Sequence, residues 1–243
     1  MNRKSGHRFS DKIMRQERAR TLYAPRLVIM VKSPRAGRVK RRLGASLGTV
    51  AATQAYRTCL AHTVLRLSSN PRWSTILAVT PDADRHAPFW PSTLLRRPVA
   101  RLSQGGGSLG HRMQRLFADL PPGPVIIVGS DIPAIGPANI ARAFRLLGAN
   151  DAVFGPATDG GFWLVGLKRI PRLLARFRHV RWSGPQALSD TLANLKGKRV
   201  ALVATLSDMD RIEDYREGRD AAQRLIPSAR KKLQRGRASE HGV

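Results

Sequence analysis

An α/β fold with a mostly parallel central sheet is predicted by three observations. Short apolar runs recur along the chain, helical patterns separate them, and the runs are apolar on both faces. Strands covered by helices on both sides read this way. LVIMV (27–31) is the first predicted strand, and a basic loop follows it. The segment from Gly48 to Leu67 is predicted as a helix, with Val50, Ala51, Gln54, Ala55, Thr58, Cys59, His62 and Leu65 at helical spacing. STILAVTP (74–81) is a second strand, ended by Pro81, and a Pro- and Arg-rich stretch around LLRRPVARL comes next. QGGGSLGHRMQRLFADL is a glycine turn feeding a helix from about Leu109, and PVIIVGSD (124–131) is the strongest strand. Its helix runs from Pro137 to Leu147, with proline at a favoured first-turn position. DAVFGPATDGGFWLVGL (151–167) is two strands broken by a Thr-Asp-Gly-Gly turn. A helix from Pro185 to Leu195, the strand RVALVATL and a helix after Asp210 complete the core.

The chain of 243 residues is 42% hydrophobic, enough to bury a core. One domain over 25–227, with a basic arm at 1–24 and a basic tail at 228–243, is the expected organisation. The net charge is +27, of which residues 1–26 hold +6 and residues 216–243 hold +5. Such a charge promotes non-specific contact with nucleic acid, most simply through the tails, and equally suits a polyanionic small substrate. A single cysteine, Cys59, excludes an intramolecular disulfide and makes a thiolate zinc site implausible. It fits a reducing, cytoplasmic compartment. No apolar run approaches a membrane span, and the N-terminus lacks the apolar core of a secretory signal.

Ligands of open parallel sheets bind beyond the carboxyl ends of the strands. After the first strand stand Lys32, Ser33, Arg35, Gly37, Arg38 and Lys40, followed by Arg42. Gly37 lets backbone approach a ligand, amides and a helix start favour anions, and Lys32, Lys40 and Arg42 add charge. These are the ingredients of a phosphate cradle, although the Walker pattern is absent. Acidic residues are scarce, yet Asp131, Asp159, Asp208 and Asp210 fall at predicted strand ends or in turns beside them. Carboxylates converging on a cationic loop point to Mg²⁺ or Mn²⁺ bridging to phosphate. Local alternatives stand beside this. Asp131 is suited to capping a turn, Asp159 precedes two turn glycines, and Asp210 with Glu213 fits a capping box. His62 and His111 lie on helical segments and are expected to be structural.

Six blocks in order, over about residues 26–216, resemble the bacterial glycosyltransferase family of the nucleotide-diphospho-sugar transferase superfamily, which has the GT-A fold. The first resembles K-x-P-x-x-G-x-x-K-T-R-L, here Lys32 to Leu43, with Arg41 where the family usually has Thr. The others are QGGGSLGHRM (104–113), Gly129 to Pro133, Gly155 to Gly166, Trp182-Ser183, and Asp208 to Asp214. Some members are associated with arsenosugar biosynthesis or radical-SAM enzymes. More distant similarity is to guanylyltransferases acting on molybdenum cofactor or phospholactate.

The resemblance implies a single GT-A-like domain whose Lys loop, with Ser33 and Gly37, holds a nucleoside di- or triphosphate. It implies Asp131 as main metal ligand and catalytic residue, with Asp208 or Asp210 second. Asp159, also a catalytic candidate, would face the acceptor or sugar with Gly160, Gly161 and Trp182. Gln104, Gly110 and Arg112 would lie near the base. The expected activity is metal-dependent glycosyl transfer from a nucleotide sugar to a small acceptor. Nucleotidyl transfer from a nucleoside triphosphate is the alternative enzyme. A non-catalytic nucleic-acid-binding protein is the alternative from another class, although aromatics are not interleaved with the cations as stacking would require.

Overall fold

The computed structural model describes residues 24–95, 99–168, 177–210 and 213–214. Nearly all of the arm at 1–24, the tail at 228–243 and most of the helix expected after Asp210 lie outside the described residues. In chain order the elements are β1 (Arg26–Lys32), α1 (Arg41–Leu47), α2 (Thr49–Ser68), β2 (Ser74–Thr80), α3 (Ser92–Leu95), β3 (Ala100–Ser103) and α4 (Leu109–Asp119). They continue with β4 (Pro124–Gly129), α5 (Pro137–Ala149), β5 (Ala152–Pro156), β6 (Phe162–Lys168), α6 (Ala187–Ala193) and β7 (Val200–Leu202).

The seven strands form one sheet in the order β3-β2-β1-β4-β6-β5-β7. All pairs are parallel except those of β6, which runs against both β4 and β5. The reversal comes from the tight β5–β6 connection, where Gly160 at φ +85° supplies the left-handed residue. Alternation along the strands divides the core. Leu27, Ile29 and Val31 of β1 pack with Tyr56, Leu60 and Val64 of α2 and Ile140 and Leu147 of α5. Val28 points to the other face, with Met113, Leu116 and Phe117 of α4. No helix among the described residues is long and apolar enough to cross a membrane.

Three expectations need correction. The helix over 48–67 forms, but its buried stripe is Ala52, Tyr56, Leu60, Val64 and Leu67. Val50 of the expected stripe is 78% exposed. Large residues four apart decide which face is buried, and Thr53, Ala55 and Thr63 are buried beside them. The Arg-rich stretch contains an edge strand, β3, whose four residues ARLS are too short and mixed for an apolar run. The basic loop after β1 is shorter than expected, because its last residues begin α1, with Leu43 as the buried anchor.

β2 and β3 lie on one side of β1 and β4 on the other, so consecutive connections leave in opposite directions between β1 and β4. A crevice opens at the carboxyl ends of strands at such a switch point. Tyr56 ties its two sides together. Its hydroxyl donates to Lys32 O at 2.8 Å and lies 3.2 Å from Ser130 Oγ. Burial, with Asp131 nearby, holds this phenol above its usual range, so it stays protonated.

Candidate functional site

The carboxylates of Asp131, Asp208 and Asp210 converge at the mouth of this crevice. One oxygen from each lies within 4.8 Å of the others. The distant segment is held in place by Met209 N, which donates to Asp131 O at 2.9 Å, while Met209 itself is buried against Leu43 and Ala52. Asp210 N donates to Asp214 Oδ2 at 3.1 Å, so the acceptor is Asp214 rather than Glu213.

Lys40 joins the three acids to the basic loop. It sits before α1 with φ 48° and ψ 47°, a left-handed conformation that disfavours a residue with a Cβ by about 1 kcal/mol. Such a residue persists where its surroundings hold it. Here Lys40 Nζ lies 2.5 Å from Asp131 Oδ2 and 2.7 Å from Asp210 Oδ1. Burial alone would lower the ammonium's pKa, but Asp131 and Asp210 outweigh it and hold the group above its ordinary value. Arg42, largely exposed, adds a looser pair with Asp210 at 3.7 Å. Asp208 is placed differently. Burial, then Asp210, push its carboxyl up to about 6. Three crowded oxygen donors, one of them resisting ionisation, are a donor set that a hard divalent cation fits and relieves.

The rest of the loop is shaped by turns and by a second acid. Arg38 N donates to Arg35 O at 3.0 Å with Gly37 at φ +73°. Lys32 is exposed at the end of β1, and its ammonium has no partner among the described residues. Ser33 is buried and donates its hydroxyl to Asp84 Oδ2 at 2.6 Å. Arg35 pairs with both oxygens of Asp84 and lies over Phe89. Those contacts, Arg35's first, hold the Asp84 carboxyl below its usual range. Asp84 was absent from the sequence-based candidates, because a single Asp in a polar turn resembles a solvated one.

A cavity of about 280 Å³ adjoins the acid cluster. Asp131 and Asp208 belong to its wall, with Asp159 and Gly161 from the β5–β6 turn and Trp182 from the segment before α6. Leu109, Met113, Phe162 and Trp163, which fall inside two of the six blocks but had no role assigned there, line its apolar side. Asp159 Oδ1 accepts from Gly161 N at 2.9 Å, the turn role open to it locally, while the residue still reaches the cavity. Trp182 is half-buried against Phe162 and Phe177. Gly110 lies under this aromatic group, since a Cβ there would sit 2.8 Å from Trp182 Cζ2.

Gln104 and Arg112 are not brought to this wall. Gln104 is buried and its amide donates to Val31 O and Ala78 O, bracing β1 and β2. Arg112 Nε donates to Gly107 O at 2.9 Å. Gly160 backs the turn against Pro185, and a Cβ there would lie 2.2 Å from Pro185 O. Gly160→Ala is therefore expected to destabilise the fold by about 3 kcal/mol, from overpacking added to a left-handed backbone. Urea unfolding of the two proteins measures this.

A family model described as "Uncharacterized protein conserved in bacteria (DUF2064)" matches residues 63–184, half of the chain, and the chain belongs to that family. Among solved structures it is similar to a "putative nucleotide-diphospho-sugar transferase" from Desulfovibrio desulfuricans G20. That match has 26% identity and a TM-score of 0.73, and covers 89% of this chain and 96% of that one. It also shares its fold with 4-diphosphocytidyl-2C-methyl-D-erythritol synthase from Anaerococcus prevotii DSM 20548. There the identity is 11% and the TM-score 0.57, over 83% of this chain and 99% of that one. No curated protein matches. The fold is that of the nucleotide-diphospho-sugar transferase superfamily, as the motifs implied.

Proposed function

We propose, from this membership and this geometry, that the chain is a glycosyltransferase that uses a nucleotide sugar and Mg²⁺ or Mn²⁺. The observation that carries the proposal is the meeting of three carboxylates, a cationic turn and a cavity at the switch point of the sheet. Asp131, Asp208 and Asp210 hold the cation, which when bound neutralises charge on the departing diphosphate. Lys32 and the Gly37 turn hold phosphate oxygens, and Arg42 assists from the exposed side. Asp159 Oδ2, which accepts no hydrogen bond among the described residues, takes the proton of the attacking acceptor hydroxyl. The acceptor oxygen bonds to the anomeric carbon, the bond from that carbon to the diphosphate breaks, and a nucleoside diphosphate leaves.

The test is incubation of the full chain with nucleotide sugars, Mn²⁺ and candidate acceptors, followed by mass detection. Free nucleoside diphosphate with a glycosylated acceptor is expected. Inorganic diphosphate released from a nucleoside triphosphate would instead establish nucleotidyl transfer.

The state of Asp208 adds a pH dependence. Its folded pKa, about 6, lies above its unfolded value. Its contribution to stability is therefore fully present below about pH 4 and is lost as pH rises through about 6. A cation competes with the same proton. Its affinity should rise by about fivefold between pH 5 and 6 and level off above pH 7. Mn²⁺ titrations followed by thermal melting across that range check both trends.

A further inference from the structure

We infer that the molecule received by the cavity is non-anionic: uncharged or amine-bearing, with an apolar ring face. This rests on the transfer reading and names its acceptor class. In the whole sequence Lys and Arg outnumber Asp and Glu by 43 to 16. The cavity wall inverts that balance. Among the described residues its ionisable groups are Asp131, Asp159 and Asp208, and no Lys, Arg or His is part of it. Lys40 is spent on Asp131 and Asp210 and does not form the wall.

A cation on Asp131 and Asp208 would be met by the donor's diphosphate. Asp159 would then stand beside the incoming molecule, its Oδ2 accepting no hydrogen bond among the described residues. A phosphate or carboxylate on that molecule would face a carboxylate, with no Lys, Arg or His among the described residues of the wall to compensate it. The remaining wall suits a ring. Trp182 and Phe162 meet edge to face with centroids 6.2 Å apart. Leu109, 43% exposed, adds apolar surface to the same wall. Aromatic walls with few polar groups bind flat apolar faces, sugar rings included.

The probes are phenyl β-D-glucoside and its 6-phosphate, titrated calorimetrically into the full chain in chelator and moderate salt, without nucleotide. The neutral glucoside is expected to bind at least about tenfold more tightly than the phosphate, against the attraction of a +27 chain for anions. Asp159→Asn should shrink that ratio severalfold, and Trp182→Ala should weaken both ligands. Equal or tighter binding of the phosphate, binding of neither at millimolar concentration, or an unchanged ratio in Asp159→Asn would each overturn the inference. No donor is present, so failure of glycosyl transfer with this preference intact would fall on the transfer reading alone. Turnover restricted to phosphorylated acceptors would fall on this inference alone.

Discussion

Asp131→Asn is expected to weaken Mn²⁺-dependent nucleotide binding by at least about 100-fold while the protein remains folded. Asp131 stands two residues past the end of β4 and serves three neighbours at once. Its Oδ2 pairs with Lys40, its carboxylate is one of the three that converge, and its side chain is part of the cavity wall. Asn preserves shape and removes the charge that a hard cation needs. Lys40 keeps Asp210 as a partner, so the thermal midpoint should move by only a few degrees. Calorimetric titration of nucleotide in Mn²⁺, with a melting curve on the same sample, separates loss of binding from loss of fold.

The second large effect is expected at Lys40. Its side chain is 5% exposed, whereas those of Asp131 and Asp210 are 30% and 39% exposed. Removing one partner of a fully buried ion pair costs about 3–5 kcal/mol, but water reaches both acids here. Lys40→Met, which keeps the length of the stem, should therefore destabilise the metal-free protein by about 2 kcal/mol. That corresponds to roughly 4–8 °C in a domain of this size. The three acids then lack their internal cation, so Mn²⁺ should raise the melting temperature of Lys40→Met more than that of the parent. An unchanged melting temperature, with no extra response to Mn²⁺, would show that the ion network contributes little.

These two residues also mark how far the sequence is informative. Asp131, Asp208 and Asp210 were legible as candidate ligands that converge, because each follows an apolar run and strand ends in a parallel sheet gather at one edge. The strands β1, β2 and β4 and the β5–β6 pair were legible for the same reason: buried apolar runs bounded by turn residues. Lys40 was readable as a cation of the loop, but not as the partner of Asp131 and Asp210, because that pairing joins segments about 90 and 170 residues away. The commitment of Ser33 to Asp84 and of Gln104 to the β1 and β2 carbonyls was hidden likewise. A polar side chain buried in structural hydrogen bonds has the same local sequence as one facing a ligand. β3 was missed because an edge strand needs only one covered face and four residues. The buried stripe of α2 was displaced because Ala and Thr carry little periodic signal, and the positions of Tyr56, Leu60 and Val64 decide the packing. The aromatic wall of the cavity is tertiary too. Phe162 and Trp182 come from different motifs and meet only once the β5–β6 pair and the segment before α6 are packed.

The central claim is that a nucleoside diphosphate binds this crevice through a divalent cation held by the three acids. Calorimetric titration of uridine, guanosine, adenosine, cytidine and thymidine diphosphates into the full chain, with Mn²⁺ and then with chelator, tests it most directly. At least one should bind with one-to-one stoichiometry in Mn²⁺ and lose most of its affinity in chelator. Binding of none, or equal binding of all five with and without the cation, would contradict the account and leave only the attraction of a basic surface for anions.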